Sequence, residues 1–150
     1  QRLKLNLEFS AYRGGRFRRS VEVQVPASVP FGRYSLLVGD GSSIDAARFS
    51  LEKPNPTNFS QAMRFLRSLH SRNELVVLGF YGGDGIRQGG DVLPDLPASI
   101  KSIWQTSGTS SVAAVNKTVA HEEAFDFARP LTGLIRIDLT VEAERSRDPE

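Results

Sequence analysis

Alternation of apolar and polar residues dominates the chain, and this period of two is typical of β-strands with one buried face. Residues 3–10 and 21–25 show it most clearly, with leucine, valine or phenylalanine at every second position. The same alternation predicts short strands at residues 34–38 and 47–51. A final strand is predicted to start at Gly133, with Ile135, Ile137, Leu139 and Val141 alternating against arginine, aspartate, threonine and glutamate up to residue 142.

The segment between the first two strands is a turn signal. Residues 12–16 read Tyr-Arg-Gly-Gly-Arg, which favours a β-hairpin. A two-residue turn at Gly14 and Gly15 would put the two apolar rows on opposite faces, whereas a shift of one residue puts both on one face. If these strands pair, the sequence therefore predicts a loop of odd length or a bulge near the two glycines.

After Pro56 the apolar spacing changes to three or four residues, which is typical of an amphipathic helix. The apolar positions are Phe59, Ala62, Met63, Leu66 and Leu69. Asn58 is a suitable N-cap, and Gln61 follows three residues later as in a capping box. The pattern predicts a helix over residues 59–71.

The remaining part of the chain predicts one central strand, a loop, a second helix and weaker strands. Residues 75–81 form a continuous apolar run, which favours a strand buried on both faces. The glycine-rich segment 82–90 is predicted to be a connecting loop, because no helix follows it directly and it lacks the Gly-Lys-Ser/Thr of a phosphate-binding loop. Residues 97–104 predict a short helix, and residues 112–127 one or two weaker strands.

Together these elements predict an α+β fold: a mostly antiparallel, β-sandwich-like domain with two inserted helices. We expect residues 1–150 to form a single β-rich domain, with a charged tail at residues 143–150 that frays. The predicted core consists of Leu5, Leu7, Val23, Val25, Leu36, Phe49, Met63, Leu66, Val77, Ile100, Trp104, Ile137 and Leu139.

Composition supports a single globular domain. The chain has 150 residues, of which 39% are hydrophobic and 24% charged, and it has no cysteine. These values exclude intrinsic disorder and a disulfide-stapled mini-protein. No apolar run approaches the ~18–20 residues of a membrane helix. The chain begins at Gln1 without a methionine, which we interpret as the mark of a mature chain or an excised domain.

The net charge is only +2, but basic residues are concentrated near the start. Residues 1–50 carry eight basic and four acidic side chains, whereas residues 101–150 carry six and eight. The candidate anion-binding residues are Arg13, Arg16, Arg18 and Arg19. The guanidinium groups of these arginines and the nearby aromatic rings could bind single-stranded nucleic acid. The domain lacks a strong basic excess, however, so the favoured interpretation is a hairpin tip with solvated side chains.

No arrangement of residues in the sequence specifies a reaction. A zinc site needs three or four ligands at suitable spacing, and the two histidines, His70 and His121, do not supply that pattern. No Gly-x-Ser-x-Gly sequence marks a nucleophilic serine. An alternative hypothesis is a hydrolase whose site is assembled from His121, Glu123 and a loop serine. We predict no cofactor, no metal and no catalytic residue in this chain.

Four blocks in the sequence resemble one known family. They are VEVQVPASVPFGRYSLLVGDG at residues 21–41, NFSQAMRFLRSLHSRNELVVLGF at 58–80, GGDVLPDLPASIKSIW at 89–104 and RPLTGLIRIDLTVE at 129–142. In this order they resemble the C-terminal, non-peptidase region of bacterial envelope proteins related to the SpoIVB-type serine peptidases.

This resemblance implies a non-catalytic accessory or interaction domain of a larger exported bacterial protein. The catalytic serine of that family lies in a separate Met-Ser-Gly-type setting, and the only methionine here is Met63 in a predicted helix, so no catalytic residue carries over. The implied partner is a neighbouring domain of the same polypeptide or another protein. The implied location is the periplasm, the cell envelope or the extracellular space.

Overall fold

The structure, a computed structural model, describes residues 2–52, 54–88, 91–93, 97, 99 and 112–142. Its strands are β1 (Arg2–Ser10), β2 (Arg16–Gln24), β3 (Gly32–Asp40), β4 (Glu74–Gln88), β5 (Asp91–Leu93), β6 (Val112–Asp126) and β7 (Leu134–Val141). Two helices, α1 (Gly41–Glu52) and α2 (Phe59–Arg67), lie between β3 and β4. Most of the helix predicted at residues 97–104 lies outside the described residues, which include only positions 97 and 99 of it. The tail predicted to fray from residue 143 also lies outside them.

The strands form two antiparallel sheets. Strands β1 and β2 make a two-stranded sheet, and a five-stranded sheet has the order β5-β4-β3-β7 with β6 paired to β4. All described pairings are antiparallel. The predicted α+β class with antiparallel strands is therefore confirmed.

The β1–β2 hairpin has the register that the sequence requires. Leu3 lies opposite Val23 and Phe9 opposite Phe17, so both apolar rows point to one side. Five residues, 11–15, connect Ser10 to Arg16. The prediction of a loop of odd length is confirmed, because only an odd loop brings the two rows onto the same face.

The large sheet is covered on both faces. On the hairpin face, side chains of β3 and β4 pack with the hairpin in a core that includes Val21, Val23, Tyr34, Leu36, Val38, Leu75 and Val77. On the helix face, Ile44 of α1 packs with Leu37, Val76, Leu78 and Phe80. Successive residues of the run at 75–81 therefore serve opposite cores, which confirms that this strand is buried on both faces.

The prediction of a strand at residues 47–51 is wrong, because these residues lie in helix α1. The Asp40 carboxylate accepts hydrogen bonds from the Ser43 backbone N–H (3.0 Å) and hydroxyl (2.6 Å), which caps the helix start. Ile44 is fully buried, and Ala47 and Leu51, spaced as on one helical face, pack beside it. Phe49, predicted in the core, is 51% exposed because it lies off that face.

Helix α2 starts where the sequence predicts and ends earlier. The Asn58 side chain accepts a hydrogen bond from the Gln61 N–H at 2.9 Å, which confirms the predicted N-cap. The helix ends at Arg67 rather than at residue 71. None of its residues is buried, and Leu66, predicted in the core, is 55% exposed, because helix α1 rather than α2 packs against the sheet.

Strand β4 continues through most of the segment predicted as a glycine-rich loop. Residues 85–88 pair with β6, and residues 86–88 also pair with β5. The pairing with β6 shifts register between Gly82 and Gly85. The loop prediction is therefore wrong for residues 82–88, because the glycines form an irregularity inside a strand instead of ending it.

Candidate functional site

A cleft of about 1250 Å³ opens at the end of the hairpin. One side is formed by the last residues of β1 and the hairpin loop, and the other by residues 127–133 and the first part of β7. Its apolar lining includes Leu7, Phe9, Phe17, Phe127, Leu131 and Ile135. The lining of this cleft is mostly hydrocarbon, as in many binding sites.

Aromatic packing fixes the hairpin wall of the cleft. The Phe9 ring stacks on Phe17 at 5.2 Å between centroids and contacts Phe127 at 5.1 Å. Phe9 and Phe17 are cross-strand partners, so the hairpin register itself puts both rings on the cleft side. The hairpin is thereby held against the start of the 127–133 segment.

Backbone hydrogen bonds anchor the opposite wall. The Phe127 N–H donates to the Asn73 carbonyl at 2.7 Å, and the Leu131 N–H donates to the Arg72 carbonyl at 3.1 Å. Gly133 has φ of 140°, a conformation that favours glycine. Its carbonyl accepts a hydrogen bond from the Asp40 backbone N–H at 3.1 Å, and its own N–H donates to the Asp40 carboxylate at 3.0 Å. The segment is therefore fixed at both ends although it has no regular secondary structure.

Asp40 joins this wall to α1. Its carboxylate accepts hydrogen bonds from Ser43 and, at 3.0 Å, from the Gly133 N–H. Burial alone would raise the pKa of Asp40, but the hydrogen bonds from Ser43 and Gly133 outweigh it and hold the pKa below its usual value. The Asp40 carboxylate is therefore ionised, and its hydrogen bonds hold it in the lining of the cleft.

Arginines surround the cleft, and three of them have no carboxylate partner among the described residues. Arg13, Arg18, Arg19 and Arg129 all line it. Arg18 bonds Glu8 at 3.1 Å, and Arg19 stacks over the Phe127 ring at 4.3 Å. Arg13 and Arg129 form no salt bridge in the described chain, so the mouth of the cleft is positively charged.

The four arginines predicted from the sequence do not share one surface. Arg16 and Arg18 point away from the core with Glu8, which binds both at 3.3 and 3.1 Å. Arg19 points inward and donates to the Asp126 carbonyl. Arg129 was missed, because no local signal shows that a loop more than a hundred residues later lies beside the hairpin tip.

His121 lies on the hairpin face of the sheet, outside the cleft lining. Its Nδ1 is 2.7 Å from the Tyr34 hydroxyl, and its Nε2 is buried without a hydrogen-bond partner in the described chain. Burial lowers the pKa of His121 below 6.5, against the opposing effect of Glu123. Burial and the charge of Glu123 raise the pKa of Tyr34 to about 12. We therefore assign a neutral imidazole that accepts from a neutral phenol.

The glycine opposite His121 makes room for this pair. A Cβ atom at Gly79 would collide with the Tyr34 hydroxyl and the His121 ring. Glu123 is held by the Gln24 backbone N–H at 2.9 Å. His121 is thus hydrogen-bonded to a phenol, and no described serine or carboxylate bonds to it in the way that the hydrolase hypothesis requires.

The second histidine belongs to a charged cluster on the helix side. His70 Nδ1 is 2.8 Å from Asp45, and Nε2 is 3.3 Å from Glu122. Arg48 bonds Glu122 at 3.1 Å and the Ser68 carbonyl at 2.9 Å. These contacts join α1, the end of α2 and β6. The Ser68 hydroxyl also belongs to the cluster, but it bonds Arg48 at 2.9 Å and the Phe65 carbonyl at 2.8 Å instead of a histidine.

The described residues contain no group of three or more histidine, aspartate and glutamate side chains placed to hold a metal ion. Neither described helix has the length and apolar content needed to cross a membrane. Comparison of the chain with known protein families, curated proteins and solved structures gives no significant match.

Proposed function

We propose that this chain is a non-catalytic interaction domain whose cleft binds an acidic, partly apolar segment of a protein partner. The observation that carries the proposal is the combination of an apolar lining with two arginines, Arg13 and Arg129, that have no carboxylate partner in the described chain. Arginine and aromatic residues are enriched in protein interfaces.

The chemistry of the cleft favours a peptide over a small ion. Phe9, Phe17 and Phe127 offer apolar area that a small inorganic anion would leave unused. A guanidinium presents a planar fork of donors that matches a carboxylate, so an acidic side chain next to apolar ones satisfies both parts of the cleft.

We further propose that the chain works within a larger exported bacterial protein, related to the SpoIVB-type peptidases. The sequence blocks described above support this, and the partner is then a neighbouring domain or another envelope protein. Deletion of residues 1–150 from the full-length protein tests it: lost partner binding or altered proteolysis is expected, whereas unchanged binding, stability and proteolysis would contradict it.

The cleft can be tested with a defined probe. A fluorescein-labelled peptide of alternating leucine and glutamate should bind, and one of alternating leucine and lysine should not. Fluorescence anisotropy measures both. The double substitution Arg13→Glu with Arg129→Glu should weaken binding about tenfold, because each lost surface charge contact contributes up to ~1 kcal/mol.

A matched control reverses two exposed arginines elsewhere. Arg64→Glu with Arg67→Glu changes the net charge equally on α2, away from the cleft lining. Equal loss of peptide binding in both double variants would show that net charge alone causes the loss, and this would contradict the proposed site. Tighter binding of oligothymidine than of the acidic peptide, with a steep salt dependence, would support the nucleic-acid alternative instead.

A further inference from the structure

The outer edge of β1 is unpaired among the described strands. β1 pairs only with β2, in the two-stranded sheet. Its inward residues Leu3, Leu5, Leu7 and Phe9 are only partly buried, whereas Val21 and Val23 on β2 are 4% and 1% exposed. Strand β1 therefore has both an open row of backbone donors and acceptors and an apolar row that is incompletely covered. Such an edge is suited to pairing with another strand.

The sequence of β1 is complementary to itself when read antiparallel. Pairing centred on Asn6 puts Lys4 opposite Glu8 on the outward row. It also puts Leu5 opposite Leu7 and Leu3 opposite Phe9 on the inward row. Opposite charges and apolar pairs directly across two strands are the contacts that stabilise a sheet.

The complementarity extends across four strands. In the observed hairpin Lys4 lies opposite Glu22, Asn6 opposite Ser20 and Glu8 opposite Arg18. Pairing of two hairpins through β1 therefore gives an outward row of alternating charge: Glu22 and Lys4 of one copy, then Glu8 and Arg18 of the second. At the centre the two Asn6 side chains meet, each already accepting a hydrogen bond from its own Ser20 at 2.6 Å.

We propose that two copies of this chain associate through their β1 strands, which pair antiparallel about a two-fold axis at Asn6. The product is a four-stranded sheet of order β2-β1-β1-β2, with the same patch used by both copies. Ser10, which lines the cleft, then lies opposite Arg2 of the second copy. The proposal stands on β1 alone and does not depend on what the cleft binds.

The edge strand β7 of the large sheet fits a second copy less well. Strand β7 also pairs with only one described strand, β3. Its Arg136 already bonds Asp138 at 2.9 Å, and Asp138 accepts from the Ser35 hydroxyl at 2.6 Å. The next strand then contributes Leu37 and Ser35 opposite these residues instead of further charges. Of these two strands, β1 is the one that continues the alternation of charge into its partner strand.

Analytical ultracentrifugation with charge-reversed variants tests the interface. The wild type should sediment as a dimer, and Lys4→Glu and Glu8→Lys should each raise the dimer Kd about tenfold or more, because like charges then face each other. An equimolar mixture of the two variants should restore the dimer, since each altered charge then meets its opposite. This restoration also shows that both variants are folded.

Substitution on β7 provides the control. Arg136→Glu should leave the dimer unchanged. A wild type that stays monomeric across the accessible concentration range would overturn the proposal. A dimer that survives both β1 variants, or one that is lost in Arg136→Glu, would equally overturn it and place the contact elsewhere.

A cross-linking measurement checks the register directly, because the chain has no cysteine of its own. In Asn6→Cys the two thiols face each other across paired strands at ~4.5–5.5 Å between Cα atoms, within the range of a disulfide. Mild oxidation should give a covalent dimer. In Ser20→Cys the thiols lie three strands apart, ~14 Å, and no covalent dimer should form. Equal cross-linking of both variants would contradict the predicted register.

Discussion

The two faces of the large sheet each hold one histidine, and the two sites are stabilised in opposite ways. On the hairpin face His121 lies among apolar side chains with the Tyr34 hydroxyl as its partner. On the helix side His70 lies between the carboxylates of Asp45 and Glu122. One site depends on close packing around a neutral pair, and the other on compensation between charges.

The elements that cover each face explain the difference. The strands of the hairpin alternate, so with the exception of Arg19 they direct hydrocarbon inward and leave charged residues outside. Helix α1 instead brings Asp45 and Arg48, three residues apart, to its border with β6. A helix edge can therefore place several charged groups together, whereas the inward row of a hairpin cannot.

The largest effect is expected from filling the space at Gly79. Gly79→Ala places a methyl group against the Tyr34 hydroxyl and the His121 ring, and a filled core cannot move both. We expect the free energy of unfolding to fall by about 3 kcal/mol, measured by urea denaturation. Gly82→Ala is the matched control, because nothing lies within 4 Å of its added Cβ. Equal losses in both would show that backbone freedom, not packing, limits this strand.

The second-largest loss of stability is expected from replacing Arg48, the cation of the charged cluster on the helix side. Arg48→Met leaves Glu122 with less compensation and the Ser68 carbonyl without its donor. We expect a loss of about 2 kcal/mol, because a partly buried charge loses its partner. Arg136→Met, in an ion pair whose side chains are about half exposed, should change stability by less than ~0.5 kcal/mol. Thermal unfolding of both variants separates the two cases.

Acidification should destabilise the hairpin face through His121. Its pKa lies below 6.5 in the folded protein, so the unfolded chain binds the proton first and stability falls as the pH drops below 6.5. Protonation also removes the acceptor that Tyr34 uses. Urea midpoints at about pH 7.5 and 5.5 measure this, because an ordinary histidine titrates between them. His121→Gln should reduce the pH dependence, and an unchanged dependence would contradict the assignment of a neutral imidazole.

A small effect is expected at the exposed surface of the hairpin. Glu8→Gln removes the ion pairs with Arg16 and Arg18, whose side chains are 77% and 82% exposed. Solvent screening limits the expected loss to less than ~1 kcal/mol, measured by thermal unfolding at low and high salt. A loss as large as that of Arg48→Met would show that exposure does not separate the two kinds of ion pair.

The sequence predicted the elements whose signals are local. The alternation in β1 and β2 predicted a loop of odd length or a bulge, and the observed loop of five residues is odd. Asn58 and Gln61 marked the start of α2 through a cap that depends on three neighbouring residues.

Helix α1 shows where local pattern failed. Ala47, Phe49 and Leu51 alternate over too few residues to separate a strand from a helix. The cap formed by Asp40 and Ser43, with Ile44 beginning a helical spacing, was the better signal. The cleft was not predictable at all, because it joins the hairpin tip to residues 127–133, and the contact between them exists only in the folded chain.

The pairing of β3 with β7 has a consequence for the order of folding. Gly32 pairs with Val141, whereas β1 pairs with β2 across a loop of five residues. Bringing Gly32 and Val141 together closes the long segment between them, and this costs more conformational entropy than closing the hairpin. We therefore expect the hairpin to form early and the large sheet slowly. During synthesis β3 keeps an unpaired edge until β7 has emerged, and such an edge is prone to aggregation until β7 pairs with it.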